Sequence, residues 1–301
     1  MNAGMTDAAG RGPDYPDHLR LLVEDYLEGL EFGAAARVAR LAEAMRYSLL
    51  AGGKRIRPVL TLAVAEGLGR APQQVLPTAA ALELIHTYSL IHDDLPAIDN
   101  DELRRGKLTC HVVYGEDIAI LAGDGLFAEA FHLMVARQQG SPAVLMAVVG
   151  EIARATGLRG MVGGQYIDVT AVPDGDDDLR VLHALKTGRL IEAAVVVGAL
   201  LCGVRGAARQ ARYRAFAAEI GLLFQIVDDM LDVEGDPETM GKSAGKDEAL
   251  AKLTYVSRYG LRQTRALAAE SHARAVARLE ELGGDTQSLT VVTDYIYRRE
   301  R

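Results

Sequence analysis

The sequence predicts an all-α protein. Three observations lead there. Apolar residues recur at helical spacing over almost the whole chain after residue 17, in segments much longer than an ordinary strand, and few runs alternate with a period of two. Ala, Leu and Val dominate while proline is scarce (9 residues) and tryptophan is absent, a mix that favours helices over sheets. The breaks between segments are short and contain no long Gly, Ser or Pro linker, so one helical domain over 17–301 is expected behind a flexible tail at 1–16.

The expected helices cover 17–30, 35–50, 58–67, 73–95, 115–138, 142–156, 178–203, 207–233, 247–280 and 286–299. They are punctuated by Gly52-Gly53, Gly69 to Pro72, Gly140-Ser141-Pro142, Pro173 to Asp178 and Gly235-Asp236-Pro237. The most apolar stretch, Leu190 to Val204, carries Glu192 and falls short of the roughly 20 apolar residues of a membrane span, so it reads as a buried core helix. No basic start followed by an apolar run marks a signal peptide. Cys110 and Cys202 are too few for a disulfide framework and fit a reducing cytoplasm.

The net charge of −8 argues against a nucleic-acid partner. Basic residues nevertheless cluster at Lys54-Arg55-Ile56-Arg57 and Arg104-Arg105-Gly106-Lys107, which suits a small anionic substrate. Two acidic clusters complete the pattern. Asp93, Asp94 and Asp99 form DDxxxxD at the end of one apolar helix, and Asp228, Asp229 and Asp232 form DDxxD at the end of another. Asp228 and Asp232 share a helix face. Packed carboxylates beside apolar neighbours repel one another and are costly to desolvate; a hard divalent cation relieves both, and Mg²⁺ binds through carboxylates and substrate phosphates. A solvated acidic helix end is the alternative for either cluster alone, but two such clusters make it a poor account of both.

Lys54 and Arg57 lie three apart at a helix start, where backbone N–H groups also favour an anion. Arg104-Arg105 follows the first acidic cluster, and the planar guanidinium suits phosphate. His86 lies two helical turns before Asp93 on the same face, and Lys186-Thr187-Gly188 opens the apolar helix 190–203. Gly235 to Ser243 imitates a P-loop but has one residue too many between its glycines and follows a helix, so ATP binding there is not expected.

These segments together resemble the trans-isoprenyl diphosphate synthases, the short-chain farnesyl and geranylgeranyl diphosphate synthases. GGKRIRP (52–58), LELIHTYSLIHDDLPAIDNDELRRGK (82–107), GMVGGQYIDV (160–169), LKTGRLIEAA (185–194), FQIVDDMLDVEGD (224–236) and GKSAGKD (241–247) occur in family order. The resemblance implies an isoprenoid-synthase bundle with a central cavity, usually a homodimer, joining isopentenyl diphosphate head-to-tail to dimethylallyl or geranyl diphosphate. It implies about three Mg²⁺ ions on Asp93, Asp99 and Asp228, supported by Asp94, Asp229 and Asp232. Arg104, Lys186, Thr187, Gln225 and Lys242 would meet the allylic substrate; Lys54, Arg57, His86 and Arg105 would hold isopentenyl diphosphate, and Gln165 would line the reaction centre. Lys186, Thr187 and Gln225 are the residues expected nearest the reacting carbons. Tyr88, five residues before Asp93, is expected to floor the product cavity and to set farnesyl diphosphate as product, with geranylgeranyl diphosphate as the alternative. A terpene cyclase and a non-catalytic synthase subunit share the fold, but neither requires this full set of cations and both acidic motifs.

Overall fold

The computed structural model describes residues 15–33, 36–170, 176–234 and 254–299. Its helices form one bundle around a near-central helix. That helix, α4 (Leu76–Asp93), buries most of its residues on all sides, as expected of a segment apolar all round. Before it come α1 (Asp17–Glu28), α2 (Ala39–Leu49) and α3 (Ile56–Gly67). After it, α5 (Cys110–Tyr114), α6 (Glu116–Arg137), α7 (Pro142–Thr156) and α8 (Met161–Thr170) follow in order. Then come α9 (Asp176–His183), α10 (Arg189–Leu201), α11 (Ala207–Glu234), α12 (Tyr255–Tyr259), α13 (Leu261–Glu280) and α14 (Gln287–Arg298). The strongest packing is α4 on α6, α11 on α13, and α10 on α3, α7 and α11. α10, the predicted core helix, buries ten of its residues from Leu190 to Leu201.

Three expectations need correction. The segment 247–280 is interrupted: Gly260, at φ 76°, ends α12 and starts α13, a conformation that glycine adopts without a Cβ penalty; residues 247–253 lie outside the described residues. Helix α8 lies outside the expected helices; it forms although Gly163 and Gly164 sit within it, and glycine is a poor helix former. Tyr15, assigned to the tail, is anchored: its hydroxyl donates to the Lys54 carbonyl at 2.6 Å and its ring packs edge-on against Tyr295. Among the described residues, α6 is also long and apolar enough to cross a membrane by length and composition, yet one side of it packs on α4 and α2.

A two-residue hairpin, Leu103–Arg104 paired with Lys107–Leu108, follows α4. Its central residues Arg105 and Gly106 both have positive φ, the geometry that tight hairpin turns require. The hairpin folds Arg104 back toward the end of α4.

Candidate active site

Both acidic clusters sit at the C-terminal ends of long helices, Asp93 and Asp94 closing α4 and Asp228, Asp229 and Asp232 near the end of α11. A helix C-terminus is already the negative end of the macrodipole, so these carboxylates are doubly in need of cations. Asp93 records that cost. Burial, opposed by Lys186 and reinforced by Asp99, pushes its carboxyl up to about 6. Asp99 is brought back to it by the turn after α4, in which the Asp99 N–H donates to the Asp93 carbonyl at 2.9 Å.

The other first-cluster aspartate is differently employed. Buried Asp94 accepts from Arg104 Nε at 2.9 Å and pairs with its Nη2, and Asp101 lies 3.5 Å from the same guanidinium. Burial alone would lower the Arg104 pKa, but Asp94, Asp101 and Asp93 together raise it. Asp94 and Arg104, expected to face metal and substrate, thus satisfy each other.

Asp229 in the second cluster is likewise bound within the protein. The Tyr255 N–H donates to its Oδ2 and Gln225 Nε2 to its Oδ1, each at 2.7 Å. A carboxylate can only accept, so Gln225 must turn its amide nitrogen to Asp229 and its carbonyl oxygen away. That oxygen accepts the Thr187 hydroxyl at 2.9 Å. The hydroxyl proton is thereby committed, and the Thr187 oxygen and Gln225 carbonyl are left presenting lone pairs. Asp228 is exposed, with Arg299 Nη2 3.2 Å from its Oδ1. Arg299 was not picked out by the sequence reading; nothing in its neighbourhood along the chain pairs it with an aspartate 71 residues away.

Lys186 and Thr187 lie on a π-helical turn, Ala184–Gly188, which joins α9 to α10 without a break. The expected helix over 178–203 runs through Lys186-Thr187-Gly188, but it is widened there, a device frequent at functional sites. Close neighbours hold the widened turn. A Cβ on Gly164 would fall 2.3 Å from the Lys186 nitrogen, and one on Gly221 would fall 3.0 Å from Gly188 Cα, so both glycines let a helix press on the turn. Asp168 Oδ2, also absent from the expected set, accepts from Lys186 Nζ at 2.5 Å. His183, one turn before Lys186, stacks on Tyr255 and lies 3.8 Å from Asp229; burial lowers its pKa to about 4.

The cationic side gathers around the start of α3. Arg57 is lowered to about 10, first by burial and further by Arg105, and its Nε is buried without a partner among the described residues. His86 falls well below the usual imidazole range through burial and the cations Arg57, Arg105 and Arg104. Arg105 lies against Gly53, where a Cβ would come within 2.7 Å of its guanidinium carbon, and it donates to the Gly52 carbonyl. Lys54 is exposed, 5.4 Å above the Tyr295 ring. Gln165 is half-buried with neither amide atom partnered among the described residues. Lys242 and the P-loop-like segment lie outside the described residues.

Tyr88 is buried, at 9% exposure, with its ring edge-on to Phe127 at 4.9 Å; Phe127 in turn contacts Phe131 at 5.2 Å. α6 comes close to α4 here because Gly123 lacks a side chain: a Cβ would strike the His92 ring at 2.2 Å.

The residues fit the implied metal. The half-buried Asp93 carboxyl, held up by burial, calls for a cation, and the buried Arg57, whose Nε has no partner among the described residues, calls for an anion, so Mg²⁺ with a diphosphate would answer both. No group of three or more His, Cys, Asp or Glu side chains is placed to hold a metal ion by itself among the described residues. Mg²⁺ does not require one, because it takes one or two carboxylates and completes its shell with phosphate and water.

A family model described as polyprenyl synthetase matches residues 38–285. The chain belongs to the polyprenyl synthetase family. It is a prenyltransferase. It is 44% identical to a dimethylallyltranstransferase of Fischerella ambigua over 99% of this chain and 86% of the relative. It is 46% identical to a chloroplastic geranylgeranyl pyrophosphate synthase of Capsicum annuum over 86% of this chain and 71% of the relative. Among solved structures it resembles an FPP/GFPP synthase from Zymomonas mobilis (TM-score 0.83, 35% identity, 93% and 96% covered). It also resembles a Helicobacter pylori geranyltransferase complexed with magnesium and isoprenyl diphosphate (TM-score 0.82, 30% identity, 93% and 94% covered).

Proposed function

We propose that this prenyltransferase condenses isopentenyl diphosphate head-to-tail with dimethylallyl and then geranyl diphosphate, giving farnesyl diphosphate. The observation that carries the reading is a set of charged groups short of partners: Asp93, whose carboxyl burial pushes up to about 6 with Lys186 acting against the shift, and Arg57, whose buried Nε has no partner among the described residues, next to a His86 lowered by burial and by Arg57, Arg105 and Arg104. Asp93, Asp99 and Asp228 would hold Mg²⁺, about three ions in all, with Asp94, Asp229 and Asp232 fixing the geometry around them. Bound Mg²⁺ supplies charge neutralisation for the departing diphosphate. Lys186, and Lys242 in the segment not described, add positive charge on the same side, with Arg104 held in place by Asp94. The oxygens of Thr187 and Gln225, oriented by Asp229, face the allylic carbons as they become cationic. Lys54, Arg57, His86 and Arg105 grip isopentenyl diphosphate, whose double bond attacks, and Gln165 lines the space between. No side-chain base is assigned to the final proton loss; the released diphosphate can take it.

The Tyr88–Phe127–Phe131 stack lies below Asp93 and supports a fifteen-carbon product. A second reading, geranylgeranyl diphosphate, is favoured by the activity named for the Capsicum annuum relative. Val112, Val113, Ile120, Leu121, Val135 and Met146 are exposed apolar side chains on α5, α6 and α7, which supports a homodimer, and the free thiols of Cys110 and Cys202 support a reducing cytoplasm; an Arabidopsis thaliana relative is named as the large subunit of a heterodimer. The test is to incubate the protein with isopentenyl diphosphate, each allylic diphosphate and Mg²⁺, and to identify the prenyl alcohols after dephosphorylation. Absence of any elongated product would overturn the assignment.

A further inference from the structure

We infer that Glu83, acting with Glu24 through the buried guanidinium of Arg55, is the positioning residue for the cations that receive isopentenyl diphosphate. The inference rests on the reading of Lys54, Arg57, His86 and Arg105 given above and adds to that site Glu83, from the helix that carries His86, and Glu24, from α1.

Arg55 sits between Lys54 and Arg57 in the sequence but does the opposite of what they do. Its side chain is fully buried, and its backbone is left-handed, φ 53° and ψ 39°, at the residue preceding α3. A non-glycine residue holds that conformation only where its surroundings determine it. Here the guanidinium is held from three directions. Nη1 donates to Glu83 Oε1 at 2.7 Å, Nε to Glu24 Oε1 at 2.9 Å, and Nη2 to the Leu49 carbonyl at 2.8 Å. Nη2 also reaches Glu24 Oε2 at 3.3 Å. One side chain thus ties α1, the end of α2 and α4 to the first residue of the α3 turn.

The neighbours of Arg55 inherit that placement. Gly52 and Gly53, at φ 85° and 128°, lead into it and form the surface on which the Arg105 guanidinium lies. Two residues beyond it, Arg57 has its Nε buried and unpartnered among the described residues. Glu83 itself is one helical turn before His86 on α4, so it addresses the site from the imidazole side as well. Its charge counters the loss of protonation at both Arg57 and Arg105.

A carboxylate in this position can act in two ways, with opposite signs. As a counter-charge only, its removal would leave the site more positive and tighten diphosphate binding. As the anchor of Arg55, its removal lets the 52–57 turn relax and weakens binding, although a negative charge has been lost. The geometry points to the anchor, because Glu83 bonds to Arg55 rather than to Arg57 or Arg105.

The test compares Glu83→Gln, Glu24→Gln and Arg57→Ala with wild type in steady-state assays that vary each substrate separately, with circular dichroism to confirm folding. Glu83→Gln should raise KM for isopentenyl diphosphate about tenfold, the scale of one charge-assisted hydrogen bond to a buried group. Its KM for the allylic substrate should stay within about twofold of wild type, a split between the two KM values that a general loss of folded enzyme, which lowers the apparent kcat and leaves both KM values alone, would not produce. Glu24→Gln, altering a partly exposed partner, should raise the same KM about threefold. A folded Glu83→Gln protein with unchanged or lower KM for isopentenyl diphosphate would overturn the inference. If Glu83→Gln lacks native helicity, Glu24→Gln decides alone, and an unchanged KM there overturns it. Arg57→Ala separates the two levels: if it leaves that KM unchanged, the reading of the site itself fails.

Discussion

Replacing Asp93 with asparagine should make the metal-free protein more stable at neutral pH while abolishing its turnover. The carboxyl rises from an ordinary value of 3.8 to about 6 in the folded state, chiefly through burial. Between those values the native state holds a proton that the unfolded chain has released, so unfolding free energy falls as pH rises through this window. Two pKa units correspond to about 3 kcal/mol, and solvent reaching the half-buried carboxylate trims this to roughly 2–3 kcal/mol. An asparagine carries no such penalty. The stability difference between the variant and wild type should therefore be near zero at pH 4 and grow to that size by pH 7. His183, lowered to about 4, and His86, also lowered, act in the opposite sense, because the unfolded chain takes up protons that the native state refuses as pH falls below about 6.5. Their contribution is common to both proteins, so the difference isolates Asp93. The assay is urea unfolding followed by circular dichroism at half-unit pH steps in EDTA. A difference that does not change with pH, or that favours wild type at pH 7, would refute the account of Asp93 as an uncompensated buried charge.

Chelation by EDTA should abolish turnover, and Mg²⁺ should restore it; near-normal rates without divalent metal would contradict the role given to the aspartates. Arg57→Ala or Arg105→Ala should raise KM for isopentenyl diphosphate more than KM for the allylic substrate, by an amount corresponding to roughly 1.5–3 kcal/mol for a buried charged contact; equal changes in both would show that the site division is wrong. Tyr88→Ala should remove the aromatic stop about 7.5 Å below Asp93 along the α4 axis, a distance of five residues at 1.5 Å each. Its products, read by chromatography, should shift from fifteen carbons to twenty or more, and an unchanged distribution would show that Tyr88 is not the floor.

Much of this was legible along the chain because it is local. The all-α class, the core helix after Leu190, and the placing of Asp93 and Asp228 near helix ends follow from periodicity and punctuation, which are properties of neighbours in sequence. The grouping of cations at 54–57 and 104–105 needed no fold to be seen. The π-helical turn at Lys186 was not legible, because Ala184 to Gly188 differs from an ordinary helix only through the glycines that press on it from α8 and α11.

Residue types and their spacing were enough to propose a chemistry: carboxylates for a cation, cations for a diphosphate, and an aromatic placed before the first aspartate. Only the tertiary structure decided which of those groups are spent on one another. Asp94 turns to Arg104, Asp229 to Gln225 and Tyr255, Lys186 to Asp168, and Arg55 to Glu83 and Glu24. Arg55 and Arg57 are the same residue type two positions apart; one is consumed as a strut and the other is left waiting for an anion. A side chain's pairing depends on what the bundle brings within about 3 Å of it, and the partners of these groups come from separate helices or from across a turn, so residue type and spacing alone could not assign them.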